Sequence, residues 1–444
     1  MSAAAADAVR RLFRRALDRV APAGPVERAL AGLDLADSIV LLAVGKAAAG
    51  MVAGAEAALG DRIAERIAVV PAREGSAAAP TVGASPAGAP PAGGSRVVVE
   101  ASHPVPDARS EAAGRALLAA AARARPDQDL VALVSGGGSA LAAVPADGIA
   151  LADKAAAVAR LMAAGAPIAE LNCVRRHLSA VKGGRLALAA AARVTTLVVS
   201  DVVGDALAEM TSGPTVADPT RFADACEVVE RRVGRDALPP PVWRHLEAGR
   251  RGLAPEGLTS PRPRDRAILV LGLGALVDAA AEEARRAGAG PVEVVPERLE
   301  GPVDQVAGRL AAAILARGPG ILVAGGEPTI ALSPGAGRGG RAHHLALLLA
   351  RALAHAPRST APAGLAILVA GSDGIDGTSG AAGAVVDAAT WERIRAAGLD
   401  PDAHLAAFDA ATALAAAGAQ LVTGPTGVNH ADLVVAWAGP PAPR

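Results

Sequence analysis

Leu130-Val131-Ala132-Leu133-Val134-Ser135-Gly136-Gly137-Gly138-Ser139-Ala140-Leu141 is the stretch on which the fold turns. A short apolar run empties into three glycines held between two serines, and a second apolar segment follows. The reading is strand, loop, helix. It leaves bare backbone and two hydroxyls at the carboxyl end of a strand, where open α/β sheets bind ligands. Glycines there let N–H groups approach an anion that a Cβ would hold off, and the next helix adds its positive end. Ser135, Gly136, Gly137, Gly138 and Ser139 are therefore candidate phosphate-binding residues. The ordinary alternative is a tight turn without a ligand.

The 444 residues around this stretch leave room for two or three domains with buried cores. Alanine dominates and aromatics are almost absent, which predicts much helix wrapped around Val/Leu/Ile strands. The 44 basic and 44 acidic residues cancel, and no basic run stands out, so nucleic acid is excluded as a partner. Cys173 and Cys226 suggest neither a disulfide framework nor a zinc site, and the chain reads as intracellular and cytoplasmic. No uninterrupted run approaches the roughly 20 apolar residues of a membrane span. Met1 to Val20 is amphipathic and Arg-rich, but Asp7 and Asp18 within it argue against a presequence. It predicts a surface helix packing Val9, Leu12, Phe13, Leu17 and Val20.

Lysine usage is telling. The only lysines are Lys46, Lys154 and Lys182, in a chain that otherwise uses arginine. Those beside glycine become candidates for a compact ammonium role. Lys46 follows a predicted strand, Ser38 to Val44, in Gly45-Lys46-Ala47-Ala48, which lacks the spacing of a P-loop. Residues 71–94, rich in Pro, Ala, Gly and Ser, predict a flexible surface insertion. Val97 to Glu100 resumes the sheet and leads to His103, flanked by two prolines in Ser102-His103-Pro104-Val105-Pro106-Asp107.

Beyond the glycine triplet, Asn172, Arg175, Arg176 and Ser179 fall on one predicted helix face. That face is either solvated or, with Lys182, an oxyanion-binding surface. Thr196 to Ser200 is another strand and ends in Asp201-Val202-Val203-Gly204-Asp205, a pair suited to Mg²⁺ or to general-base work, or to helix capping. Pro239 to Asp265 reads as the linker between halves. The second half opens with Ala267 to Leu271 and then Gly272-Leu273-Gly274-Ala275-Leu276-Val277, which looks like a dinucleotide fingerprint with Glu297 as its ribose acid. Val277 replaces its third glycine. Further on, Gly325-Gly326-Glu327 ends a strand, and Gly337-Arg338-Gly339-Gly340-Arg341 opens a Leu/Ala helix where a guanidinium fork suits a carboxylate or phosphate. Asp373 and Asp376 follow another strand, as metal or hydroxyl ligands or as turn-forming residues. The chain closes with Thr423 to Asn429 and Asp432.

Together VGKAA, SHPVPD, VSGGGSAL, NCVRRHLS with KGGRLA, SDVVGD, TSGPT, GGEPT, GRGGR, GSDGIDG and TGPTG resemble the motifs of glycerate 2-kinases of the MOFRL type. The resemblance spans nearly the whole chain except the 71–94 insertion. It implies an α/β fold in two domains: an N-terminal Rossmann-like α/β/α sandwich over 1–260 and a smaller mixed α/β MOFRL domain over 261–444. It places the active site in the cleft between them and implies phosphorylation of D-glycerate at its 2-hydroxyl, with ATP and Mg²⁺. The family's catalytic lysine and arginine carry over to Lys46 and Arg341, and Asp201 is set beside them. On this reading the Ser135–Ser139 loop, His103, Asn172, Arg175, Glu327 and Gly340 bind substrate or phosphate, and Asp205, Asp373 and Asp376 bind metal. A nucleotide and a small acid are the expected partners, and a homodimer is compatible with this. Where the family usually continues its GGR motif with Asn-Gln-Glu, this chain has Ala342-His343-His344. Where the family's aspartate motif usually ends in Pro-Thr-Asp, this chain has Thr378-Ser379-Gly380. The rival readings are an NAD(P)H-dependent hydroxypyruvate reductase, encouraged by Gly272 to Val277, and a non-catalytic phosphosugar-binding module.

Overall fold

Strands buried on both faces must be apolar throughout, and Ile39–Val44, buried along its whole length, is so. The computed structural model describes residues 3–72, 95–200, 207, 210–272, 274–288, 290–332, 335–357, 364–428 and 430–439. β1 (Ile39–Val44), β2 (Ile63–Pro71), β3 (Ser95–Ala101), β4 (Asp129–Ser135), β5 (Arg193–Val199) and β6 (Arg266–Leu271) form one sheet in the order β3-β2-β1-β4-β5-β6. Every pairing in it is parallel. Side chains alternate as the pleat requires: Val40, Leu42 and Val44 enter one core, Ile39, Leu41 and Ala43 the other. The helices Ala23–Ala31 and Ala48–Leu59 cover one face, and Ala108–Arg123 covers the other. This is the expected Rossmann-like sandwich.

A separate apolar cluster joins the helices Leu151–Ala163, Ile168–His177, Phe222–Arg232 and Pro240–Arg250 of the same unit. Two expectations change here. Asn172 and Arg176 are 4% and 3% exposed, so their helix face is buried rather than solvated. The stretch Pro239 to Asp265 is not a linker. Pro240 starts a helix, a position that tolerates proline, and Val242 and Leu246 of that helix are fully buried.

The second sheet is mixed. β7 (Val292–Val294), β8 (Gly320–Gly326), β9 (Ala366–Gly371), β10 (Gly383–Val386), β11 (Gln420–Leu421) and β12 (Asp432–Ala438) lie in the order β11-β10-β9-β12-β8-β7. Only β7 and β8 pair in parallel; the others pair antiparallel. Val303–Ala316 and Arg341–His355 pack on one face. Ala3–Arg19 and Ala275–Arg286 pack on the other, with Val9, Leu12, Phe13, Leu17 and Val20 all buried.

The compact units are Pro22–Gly272, and Met1–Ala21 with Leu273–Arg444, so the chain divides elsewhere than at 260/261. Sheet pairing of β6 with β5 draws 266–271 into the first unit, and the apolar stripe of Ala3–Arg19 draws the N-terminus into the second. This disposes of the dinucleotide fingerprint. Its strand, β6, and its helix, Ala275–Arg286, belong to different units, whereas the motif needs both in one βαβ unit. Val277 packs instead where β8 has a glycine: a Cβ on Gly325 would lie 2.4 Å from Val277 Cγ2. Of the predicted 71–94 insertion, Pro71 ends β2 and 73–94 fall outside the described residues.

Candidate functional site

In the first sheet the strand order reverses between β1 and β4, the point where doubly wound sheets open a binding crevice at their carboxyl ends. The two loops that leave these ends are Gly45-Lys46-Ala47 and Ser135 to Ser139, and they are bonded to each other. Lys46 N–H donates to Gly136 O at 2.9 Å, and Ala47 N–H donates to Ser135 Oγ at 3.1 Å. Gly45, at φ +131°, is required by this approach, since a Cβ would sit 2.1 Å from Ser135 Oγ. Gly137, at φ +81°, is closely packed: a Cβ would lie 3.2 Å from His103 Nε2 and 3.3 Å from Lys46 Cγ. Lys46, His103 and the glycine triplet therefore share one place.

Two details differ from the sequence reading. Ser135 is fully buried, and its hydroxyl braces the two loops rather than facing a ligand. The helix after the triplet is a single turn, Gly138–Leu141, too short to add much dipole. Cations supply the field instead. Lys182 Nζ donates to Ser139 Oγ at 2.6 Å, to Ser139 O at 3.0 Å and to Thr211 O at 3.4 Å. Asn172 Oδ1 accepts from Ser212 Oγ at 3.2 Å and from Arg175 at 3.4 Å. Burial, then the nearby Lys154, Arg175 and Arg176, push the Lys182 ammonium well below its ordinary value.

The second unit has its own polar centre, where β8 and β9 end and β12 begins. Arg341 is the first residue of its helix. Its NH1 lies 2.6 Å from Glu327 Oε1, and its Nε donates to Asp432 Oδ2 at 2.7 Å. Burial opposes the guanidinium charge, but Asp432 and Glu327 more than offset it and raise the pKa. Asp432, 4% exposed at the start of β12, is pushed up to about 6 by burial against the pull of Arg341, with Asp376 and Glu327 adding repulsion. Asp376 caps the helix from outside it. Its carboxylate accepts N–H bonds from Gly340 (3.0 Å), Ala342 (3.1 Å) and His343 (2.8 Å), and lies 2.6 Å from His343 Nδ1. Those four bonds commit the oxygens that the metal reading assigned to a cation. Asp373 Oδ1 accepts Ile375 N–H at 3.1 Å in a turn. His343, in the stretch where the family has Asn-Gln-Glu, thus binds Asp376, while His344 is buried and stacks on Phe408 with centroids 5.3 Å apart.

Asp201 and Asp205 lie outside the described residues. Among the described residues no three of His, Cys, Asp and Glu come together as a metal site. Sequence reasoning gave Lys182 to a possible oxyanion-binding surface but did not put Asp432 or Lys154 among the site residues. The scarcity of lysine pointed at Lys154, and the apolar run Leu433 to Ala438 was the unread sign of the strand that Asp432 opens.

Residues 8–247 match the profile of a domain of unknown function, DUF4147, and residues 320–432 match that of the MOFRL family. The chain is 40% identical over 409 residues to an Agrobacterium vitis protein provisionally named hydroxypyruvate reductase, covering 89% of this chain and 86% of that one. It is 36% identical over 348 residues to the glycerate 2-kinase of Pyrococcus horikoshii, covering 76% and 77%. The crystal structure of the glycerate kinase of Thermotoga maritima matches with a TM-score of 0.81 at 31% identity, over 98% of this chain and 99% of that one.

Proposed function

The chain belongs to the family of glycerate kinases of the MOFRL type, and from that premise we propose that it transfers a phosphoryl group from ATP to D-glycerate. The acceptor is the 2-hydroxyl and the product 2-phospho-D-glycerate. The observation that carries this reading is the joining of Lys46 to the glycine triplet at the switch point, with the 2.9 Å bond from Lys46 N–H to Gly136 O. That is an oxyanion cradle where the fold offers one, in a chain of this family.

Phosphoryl transfer is mostly positioning plus charge stabilisation. Lys46, His103 and the N–H groups of Gly136 to Gly138 hold anionic oxygens, and Ser139, Asn172 and Arg175 extend that surface. Arg341 is assigned to the transferring phosphoryl group or to the glycerate carboxylate. Glu327 and Asp432 grip two of its nitrogens and act as positioning residues. Gly340 and Asp376 set the helix start from which Arg341 projects. Mg²⁺, when bound with the nucleotide, neutralises charge on the phosphoryl oxygens. Asp373 and Asp205 are assigned to help hold it, while Asp201 is assigned to take the hydroxyl proton. The proposal includes a cytoplasmic location and allows a homodimer. No helix among the described residues is long and apolar enough to cross a membrane.

The test is incubation with ATP, Mg²⁺ and D-glycerate, followed by identification of the phosphoglycerate isomer. Formation of the 2-isomer with stoichiometric ADP is the expected result. NADH oxidation with hydroxypyruvate, and no ADP, would establish the reductase suggested by the Agrobacterium relative's name.

A further inference from the structure

Among the described residues, three cations of the first unit have no acid paired with them. Lys154, on the helix Leu151–Ala163, is 6% exposed, and its Nζ has no hydrogen-bond partner. Lys182, 2% exposed, donates only to the uncharged oxygens of Ser139 and Thr211. Arg175 reaches Asn172 Oδ1 at 3.4 Å and the sulfur of Met162 at 3.9 Å. The contrast is Arg176 on the same helix, more deeply buried than Arg175 and paired with Asp218 at 3.2 Å. Arg185, the other neighbour, is taken up by the carbonyls of Arg176, Lys182 and Pro255.

A buried ammonium without a counter-charge is costly, and such groups persist when a ligand supplies the charge. This chain keeps three lysines and buries two of them together here. The groups on offer are donors: two ammoniums, a guanidinium, and the Ser139 hydroxyl, which accepts from Lys182 and retains its proton to give. Such a set fits an anion with several oxygens and more than one charge. We propose that Lys154, Arg175 and Lys182 form a binding site for a phosphoryl oxyanion, linked to the glycine triplet through Ser139. Assigning that phosphoryl group to the nucleotide or to the phosphorylated product rests on the kinase reading; the site itself does not.

The test is calorimetric titration of the full-length protein with sulfate and with inorganic phosphate. Both are expected to bind and to raise Tm. Lys154→Met and Lys182→Met should each weaken binding roughly tenfold or more, while Lys182→Arg keeps most of it. Burial, then Arg175 and Arg185, hold the Lys154 ammonium down at about 7, and Lys182 adds further positive charge. Sulfate binding at about pH 8 should therefore take up a proton, read from buffers of different ionisation enthalpy. Lys154→Met should diminish that uptake and leave only the part that Lys182 contributes. It removes a group that makes no hydrogen bond, so it decides the matter if Lys182→Met does not fold. Displacement of sulfate by a non-hydrolysable ATP analogue or by 2-phosphoglycerate tells the two sources apart.

No sulfate or phosphate binding by the wild type, or undiminished binding by Lys154→Met, overturns the site; displacement by neither compound overturns its assignment to nucleotide or product. Anion binding through these residues without phosphoglycerate formation would overturn the kinase reading and leave the site standing.

Discussion

The two polar centres are opposite in charge balance. Among the described residues of the first unit Lys154, Lys182 and Arg175 are gathered without an acid, whereas in the second unit Arg341 is surrounded by Glu327, Asp432 and Asp376. A centre short of negative charge is built to receive it, and its cations stay partly discharged until it arrives. A centre already balanced holds its one cation charged and aimed, at little cost when a ligand comes. On the proposed reading the first selects for anions, and the second fixes a direction. Breaking either should fail in its own way.

The largest expected losses come from the two cations proposed to act in the chemistry. Lys46→Ala and Arg341→Ala should each lower kcat by about 10²–10³ with the fold intact, the usual cost of removing a transition-state charge donor. Steady-state kinetics beside a circular dichroism spectrum check this. A variant that keeps most of its turnover removes its residue from the mechanism. Should Lys46→Ala mainly raise KM while Arg341→Ala mainly lowers kcat, the division into a receiving and a directing centre is sharpened.

What could be read beforehand follows the same line. The parallel sheet was legible because its central strands are continuous apolar runs between punctuating glycines, as in Leu130 to Ser135. The Lys46 and Ser135–Ser139 loops were legible for the same reason, since local residues alone set a strand-end turn. Most residues of the second centre were named through the family resemblance, but how they meet was not legible, because it is made by tertiary contacts between distant segments. Asp376 caps a helix that begins 35 positions earlier in the chain, and nothing local to GSDGIDG says so. The domain limits failed likewise. Proline and charge in Pro239 to Asp265 imitate a linker, while Val242 and Leu246 bury two apolar side chains at helical spacing.

Asp376 gives the next largest effect, on stability rather than on chemistry. Asp376→Ala leaves the first amides of the Arg341–His355 helix without their acceptor in a buried setting, which should cost about 2–3 kcal/mol. Urea denaturation measures it. An equally stable variant would free Asp376 for the metal role instead. Gly137→Ala comes third. The left-handed backbone costs an alanine about 1–2 kcal/mol, and its methyl would press on His103 and Lys46, so KM should rise more than kcat falls.

Asp432 supplies the smallest change at neutral pH and the most specific one across pH. Its native value of about 6 lies above the ordinary carboxylate value, so between the two the folded protein holds a proton that the unfolded chain has released. This group's contribution to stability is therefore present in acid and lost as pH rises to about 6. Activity should run the other way. As pH falls through about 6, Asp432 is neutralised, Arg341 keeps only the exposed Glu327 as its charged partner at contact distance, and turnover should decline. Asp432→Asn imitates the protonated form at every pH, so it should lower kcat roughly threefold to tenfold at neutral pH and flatten the acid limb. An acid limb that survives unchanged in Asp432→Asn belongs to another group, and the balanced centre then does not owe its aim to this carboxylate.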